Sequence, residues 1–166
     1  MFFALLYFLD SIGLVASAVP AVLVHEAGHY IALRLCGNRL RRVRVSVFGI
    51  EMDYAGELQG GKALLCAAAG PIFGLLYAVT ACTLGTEFLR MSGSVSFLLS
   101  VFNLMPALPL DGGRIVAAIT DDVPARKLSR CVAAVLLAAG IVFAVFFGAW
   151  GLLGMGLWLT IRNFRV

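Results

Sequence analysis

Apolar residues run along the chain in long blocks, and short polar stretches separate them. Residues 1–35 hold only Asp10, Glu26 and Arg34 as charged side chains. One helix over them would be about 52 Å long, too long for a single crossing of a hydrocarbon core of ~30 Å. Gly13 and Pro20 offer breaks, which predicts a short span over 2–18 and a second over 19–36. Residues 37–62 are polar. Within them Val43, Val45 and Val47 alternate with polar positions, Ile50, Met52 and Tyr54 alternate in the opposite phase, and the phase slips at Phe48-Gly49. Alternation with a glycine slip predicts two short strands meeting at a turn or bulge, a β-hairpin near 41–56. Residues 63–86 carry no charge and predict a third span. Residues 91–110 lead through Asp111 towards Ile119 as a fourth, made irregular by Pro106, Pro109, Gly112 and Gly113. After a polar loop at 120–130, residues 131–161 are uncharged, and the glycines at 148 and 151 split them into two. The expected fold class is an all-α polytopic membrane protein of about six transmembrane helices with one short membrane-associated hairpin. It forms a single domain over 1–166, with a core at 19–120 and additional C-terminal helices at 128–163.

Composition sharpens this. Of the 166 residues, 61% are hydrophobic and 13% charged, and the mean hydropathy is +0.98. A soluble domain carries about 25% charged residues, so a soluble or disordered chain is excluded. The net charge of +4 matters through its placement. With six spans and both termini in the cytoplasm, every Lys and Arg except Arg90 lies on or near the cytoplasmic side, as the positive-inside rule requires. The basic residues form no face interleaved with aromatics, so no nucleic-acid partner is expected. The four cysteines match no thiolate zinc spacing and read as small buried hydrophobes, not as a disulfide framework. Ala16-Ser17-Ala18 has the form of a signal cleavage site, but no positive n-region precedes it and Asp10 interrupts the apolar run, so no cleavage is expected.

The chemistry sits in His25-Glu26-Ala27-Gly28-His29. On a helix, positions i and i+4 share a face, so His25 and His29 can reach one metal ion. Glu26 stands beside them, placed to act on a water that the ion activates. These are the only histidines in the chain, and ionisable groups inside an apolar run mark function by default. Catalytic zinc ordinarily takes three protein ligands. The third candidates in apolar surroundings are Asp10 and Asp111. His25, His29 and Asp111 all fall roughly 10–16 Å from the cytoplasmic ends of their predicted spans, whereas Asp10 fits that depth less well.

Three blocks together resemble the site-2 protease family of intramembrane zinc metalloproteases. They are His25-Glu26-Ala27-Gly28-His29, Ala69-Gly70-Pro71, and the run from Asn103 through Pro106 and Pro109 to Asp111-Gly112-Gly113. Phe48-Gly49-Ile50-Glu51-Met52 looks like the compact bacterial subgroup of the sporulation stage IV factor B protease. The resemblance implies one Zn2+ per chain held by His25, His29 and Asp111, with Glu26 as general base. It implies that Asn103, Pro106 and Pro109 shape the substrate channel. It also implies a membrane-protein substrate cut in or near its transmembrane segment, a cell-membrane location with the site nearer the cytoplasm, and room for a regulatory membrane partner. Departures are Ile72 where many members carry Asn after Gly-Pro, and no PDZ or nucleotide-sensing segment within the 166 residues. The rival classes are a non-catalytic membrane scaffold and a small ion transporter using the same three residues.

Overall fold

A computed structural model describes residues 13–38, 40–46, 49–54, 58–148 and 150–164, the strands by their backbone alone. The order is α1 (Leu14–Leu35), β1 (Leu40–Ser46), β2 (Gly49–Tyr54), α2 (Gly61–Leu84), α3 (Glu87–Asn103), α4 (Asp111–Thr120), α5 (Asp122–Phe147) and α6 (Trp150–Phe164). Among the described residues α1, α2 and α5 are each long and apolar enough to cross a membrane. The chain is a membrane protein. It divides into two compact units, one of Met1–Leu58 with Leu65–Asn103, the other of Gln59–Leu64 with Leu104–Val166.

In the first unit, α1 starts at Gly13, which takes a left-handed φ of 69° that only glycine adopts without strain. It runs unbroken through Pro20. The expected break there is corrected: losing one helix hydrogen bond costs less than unwinding backbone in hydrocarbon, where every freed group must find a partner. The span expected over 2–18 falls mostly outside the described residues, as does Asp10. The C-terminus closes as a Schellman motif. Gly37 at φ 82° donates to the Arg34 carbonyl (3.0 Å), and Asn38 donates to the Leu33 carbonyl (3.1 Å). β1 and β2 then pair antiparallel with Val43 opposite Met52 and Val45 opposite Ile50. The register irregularity lies between Leu40 and Arg42, away from the chain reversal.

Small residues let the helices of this unit approach closely. A methyl on Gly28 of α1 would lie 2.7 Å from the Ala69 carbonyl oxygen of α2, and one on Gly93 of α3 would lie 3.0 Å from the Ala78 carbonyl. Ser92, Ser96 and Ser100 recur every fourth residue on α3 and are fully buried. Ser92 shares a hydrogen bond with the Tyr77 hydroxyl (2.9 Å), and Ser96 donates to the Gly74 carbonyl (2.9 Å). This is the packing membranes favour: small side chains for contact and hydroxyls for cross-links.

The fourth expected span is two helices' worth of chain rather than one. Residues 104–110 are non-helical between α3 and α4. Pro106 and Pro109 lack the donor a helix needs, and each pushes its predecessor out of the helical region. The loop expected at 120–130 is corrected as well: α5 already begins at Asp122 and carries Arg126, Lys127 and Arg130 within it. Pro124 stands in its first turn, where a missing N–H is harmless. Gly148 at φ 67° ends α5 and lets α6 turn back along it. The two helices meet backbone to backbone, since a methyl on Gly140 would lie 2.7 Å from Leu153 Cα and one on Gly156 2.7 Å from Leu137 Cα. We expect Gly140→Leu to force this hairpin apart and cost about 1–3 kcal/mol, as overpacking does. Thermal unfolding in detergent measures it, and an unchanged midpoint would mean that the hairpin gives way without loss.

Candidate metal centre

His25, Glu26 and His29 lie on α1 in the first unit. His25 is 4% exposed and His29 is half-buried. Their Nε2 atoms are 3.2 Å apart, and the rings meet edge to face with centroids 4.9 Å apart. His29 Nδ1 lies 2.7 Å from the carbonyl oxygen of Cys66 on α2. A carbonyl only accepts, so Nδ1 carries the proton and the lone pair of the ring sits on Nε2. A carbonyl fixing the far nitrogen of a ligating histidine is the usual second layer of a metal site.

The spacing fits a metal. Two nitrogens at zinc–nitrogen lengths of about 2.0–2.1 Å and a tetrahedral angle stand about 3.3 Å apart. The observed separation matches that edge. The donor set, imidazole in apolar surroundings, suits zinc among the common divalent ions.

Gly70 and Gly74 of α2 shape the floor. A methyl on Gly70 would overlap His29 Nε2 and approach its Cδ2 and Cε1 to 2.6 Å. A methyl on Gly74 would run into Ser100 Oγ and come 3.6 Å from His25 Nδ1. Both glycines therefore make room for the imidazoles and for the buried serine beside them. Glu26, half-buried, occupies the position between the two ligands in sequence.

The other site residues belong to other elements of the chain. Asn103 ends α3, and its Nδ2 donates to the Leu99 carbonyl of its own helix (3.0 Å). In the second unit, Asp111 is the first residue of α4 and is 6% exposed. Gly112 and Gly113 set it there: a methyl on Gly112 would overlap the Leu104 carbonyl, and one on Gly113 would lie 2.5 Å from the Leu108 nitrogen. Only glycines let the first turn of α4 settle on the loop that precedes it. Pro106 and Pro109 belong to that loop, and the Leu108–Pro109 peptide is cis. The loop is clamped from behind. The Leu108 N–H donates to Ser129 Oγ (2.7 Å), Ser129 Oγ donates to Asn163 Oδ1 (2.5 Å), and Asn163 Nδ2 donates back to the Leu108 carbonyl (2.6 Å). Sequence reasoning missed Ser129 and Asn163. Polar residues bounding the uncharged run 131–161 were the available signal.

The chain is similar to several known proteins. It has the fold of the site-2 protease from Methanocaldococcus jannaschii, with a TM-score of 0.72 over 98% of this chain and 83% of that one, at 20% identity. Residues 85–147 match the model of Peptidase family M50. Rip3 of Mycobacterium tuberculosis, a proposed zinc metalloprotease, is 33% identical over 180 residues, 95% of this chain and 44% of its own. Zinc metalloprotease MJ0392 of Methanocaldococcus jannaschii is 26% identical over 160 residues, 88% of this chain and 44% of its own. The chain thus spans less than half the length of these curated relatives.

Proposed function

We infer that the chain is an intramembrane zinc endopeptidase of the site-2 protease type, built as one metalloprotease domain. The observation that carries the reading is the pair of histidine Nε2 atoms 3.2 Å apart, with the outer nitrogen of His29 tied to the Cys66 carbonyl. In this reading His25, His29 and Asp111 hold one Zn2+ per chain. The M50 match and the site-2 protease fold support it. Bound zinc would lower the pKa of a coordinated water to about 7 and polarise the scissile carbonyl.

The remaining work falls to the chain's own side chains. Glu26 takes a proton from the attacking water and returns it to the leaving amine. The Cys66 carbonyl holds the His29 proton on Nδ1, so that Nε2 stays a donor to the ion. Asn103, Pro106 and Pro109 shape the path by which substrate arrives. The substrate is a membrane protein cut in or near its transmembrane segment, a helix that must unwind because its carbonyls are bonded internally. The topology that accompanies this reading has about six spans, cytoplasmic termini and a site nearer the cytoplasmic face.

Metal analysis of the purified protein is the direct test. Wild type is expected to carry about one zinc per chain, and His25→Ala and Asp111→Ala are each expected to lose it. Zinc surviving Asp111→Ala would mean that the third ligand is another residue. A folded wild type that takes up no metal would favour the scaffold reading.

A further inference from the structure

The second unit carries a cationic pocket that the proteolytic reading does not use. A cavity of about 240 Å³ is lined by Leu108, Pro109, Arg126, Arg130, Arg162 and Asn163. Three arginines line it, and among the described residues no carboxylate does. Arg126 and Arg130 stand one turn apart on α5, and Arg162 and Asn163 close α6. Arg130 directs its Nε to the Asn163 carbonyl (3.2 Å) and lies 5.5 Å from the centre of the Phe164 ring, which fixes its position and leaves its terminal nitrogens as donors. Among the described residues Arg126 makes no ion pair. Like charges gathered around one cavity repel, and an anion within it turns that repulsion into attraction. The guanidinium fork matches a phosphate with paired donors.

The location says where such a phosphate comes from. Residues 131–161 contain no charge, and Arg130 and Arg162 flank that run. The Ser129–Asn163 hydrogen bond shows that its two ends return to the same level. The pocket therefore stands where an apolar helical hairpin meets water, at the depth of lipid headgroups. Its floor is Leu108–Pro109, and Asp111 follows two residues later. Asn163 both lines the cavity and grips the Leu108 carbonyl (2.6 Å), so an occupant presses on the backbone segment that leads into α4.

We propose that Arg126, Arg130 and Arg162 form a binding site for a phosphate group, supplied by the headgroup of an anionic lipid, against the Leu108–Pro109 segment. The test purifies the full chain from vesicles of phosphatidylcholine with or without phosphatidylglycerol, and counts retained lipid by mass spectrometry. A parallel arm measures thermal stabilisation in detergent by inorganic phosphate alone. Preferential retention of phosphatidylglycerol is expected, falling by about fivefold for each of Arg126→Gln and Arg162→Gln. Lys127→Gln, next in sequence but outside the cavity, is expected to change nothing. Circular dichroism confirms that each variant is folded. Stabilisation by inorganic phosphate, lost in Arg126→Gln, would keep the site and assign it to free phosphate. Equal retention of both lipids with no phosphate effect overturns the proposal. So does a loss in Lys127→Gln as large as in Arg126→Gln, because diffuse surface charge then suffices.

Discussion

Replacing Gly70 by alanine is expected to strip zinc from the protein while leaving its helices intact. Two anchors in one helix hold the His29 ring. His29 is tied at Nδ1 to the carbonyl of Cys66 and lies with Nε2 directly over Gly70, one helical turn further along α2. A methyl at position 70 overlaps the ring. The ring cannot slide away without stretching the 2.7 Å bond to Cys66, and α2 cannot back off without breaking the same bond. Either response moves the donor nitrogen. Loss of a partner that orients a metal ligand typically costs about 10–100-fold in metal affinity, and here the ligand itself is displaced, so the upper end is expected. Gly61→Ala is the matched control: it lies on the same helix, and a methyl there meets nothing within 4 Å. Metal content of both variants, read beside their circular dichroism, decides the matter. Undiminished zinc in Gly70→Ala would show that the His29 ring is not held against α2.

Only part of this arrangement is legible in the amino-acid sequence. Gly70 and Gly74 are sites of close approach, and what they meet is the His29 ring and the Ser100 hydroxyl. The acceptor that sets the His29 tautomer was out of reach, because a backbone carbonyl at Cys66 has no signature among side chains. The His25–His29 pair was legible because helical periodicity alone puts i and i+4 on one face. Helix boundaries near charge were the weak point. Asp122, Arg126, Lys127 and Arg130 suggested a loop by polarity, yet lysine and arginine are good helix formers, and Pro124 marks a first turn. Pro20 misled in the other direction, because a rule learned in water overstates proline as a breaker where lipid penalises irregular backbone. The Ser129–Asn163 clamp joins residues 34 positions apart, and only the return of α6 along α5 brings them together.

Glu26→Gln is expected to keep zinc and lose cleavage. Glutamine has the shape of glutamate and leaves both imidazoles unchanged, so the metal content should match wild type. Its amide has no basic oxygen that can hold a proton between water and the leaving amine. Proton transfer by a positioned side chain contributes typically about 10²–10⁴-fold, and a loss within that range is the expected result in a single-turnover assay on a membrane-embedded helical peptide. The pairing of readouts matters. Lost cleavage with lost zinc would describe a damaged site and say nothing of proton transfer. Full cleavage with zinc retained would remove Glu26 from the mechanism and require another base. The same variant separates the rival classes, because a scaffold has no use for a general base and would bind its partner equally well with glutamine. Ion flux that survives the substitution would point to a transporter in which the histidines and Asp111 line a conduction path. A protease alone predicts retained metal, retained substrate binding and a slowed chemical step in one protein.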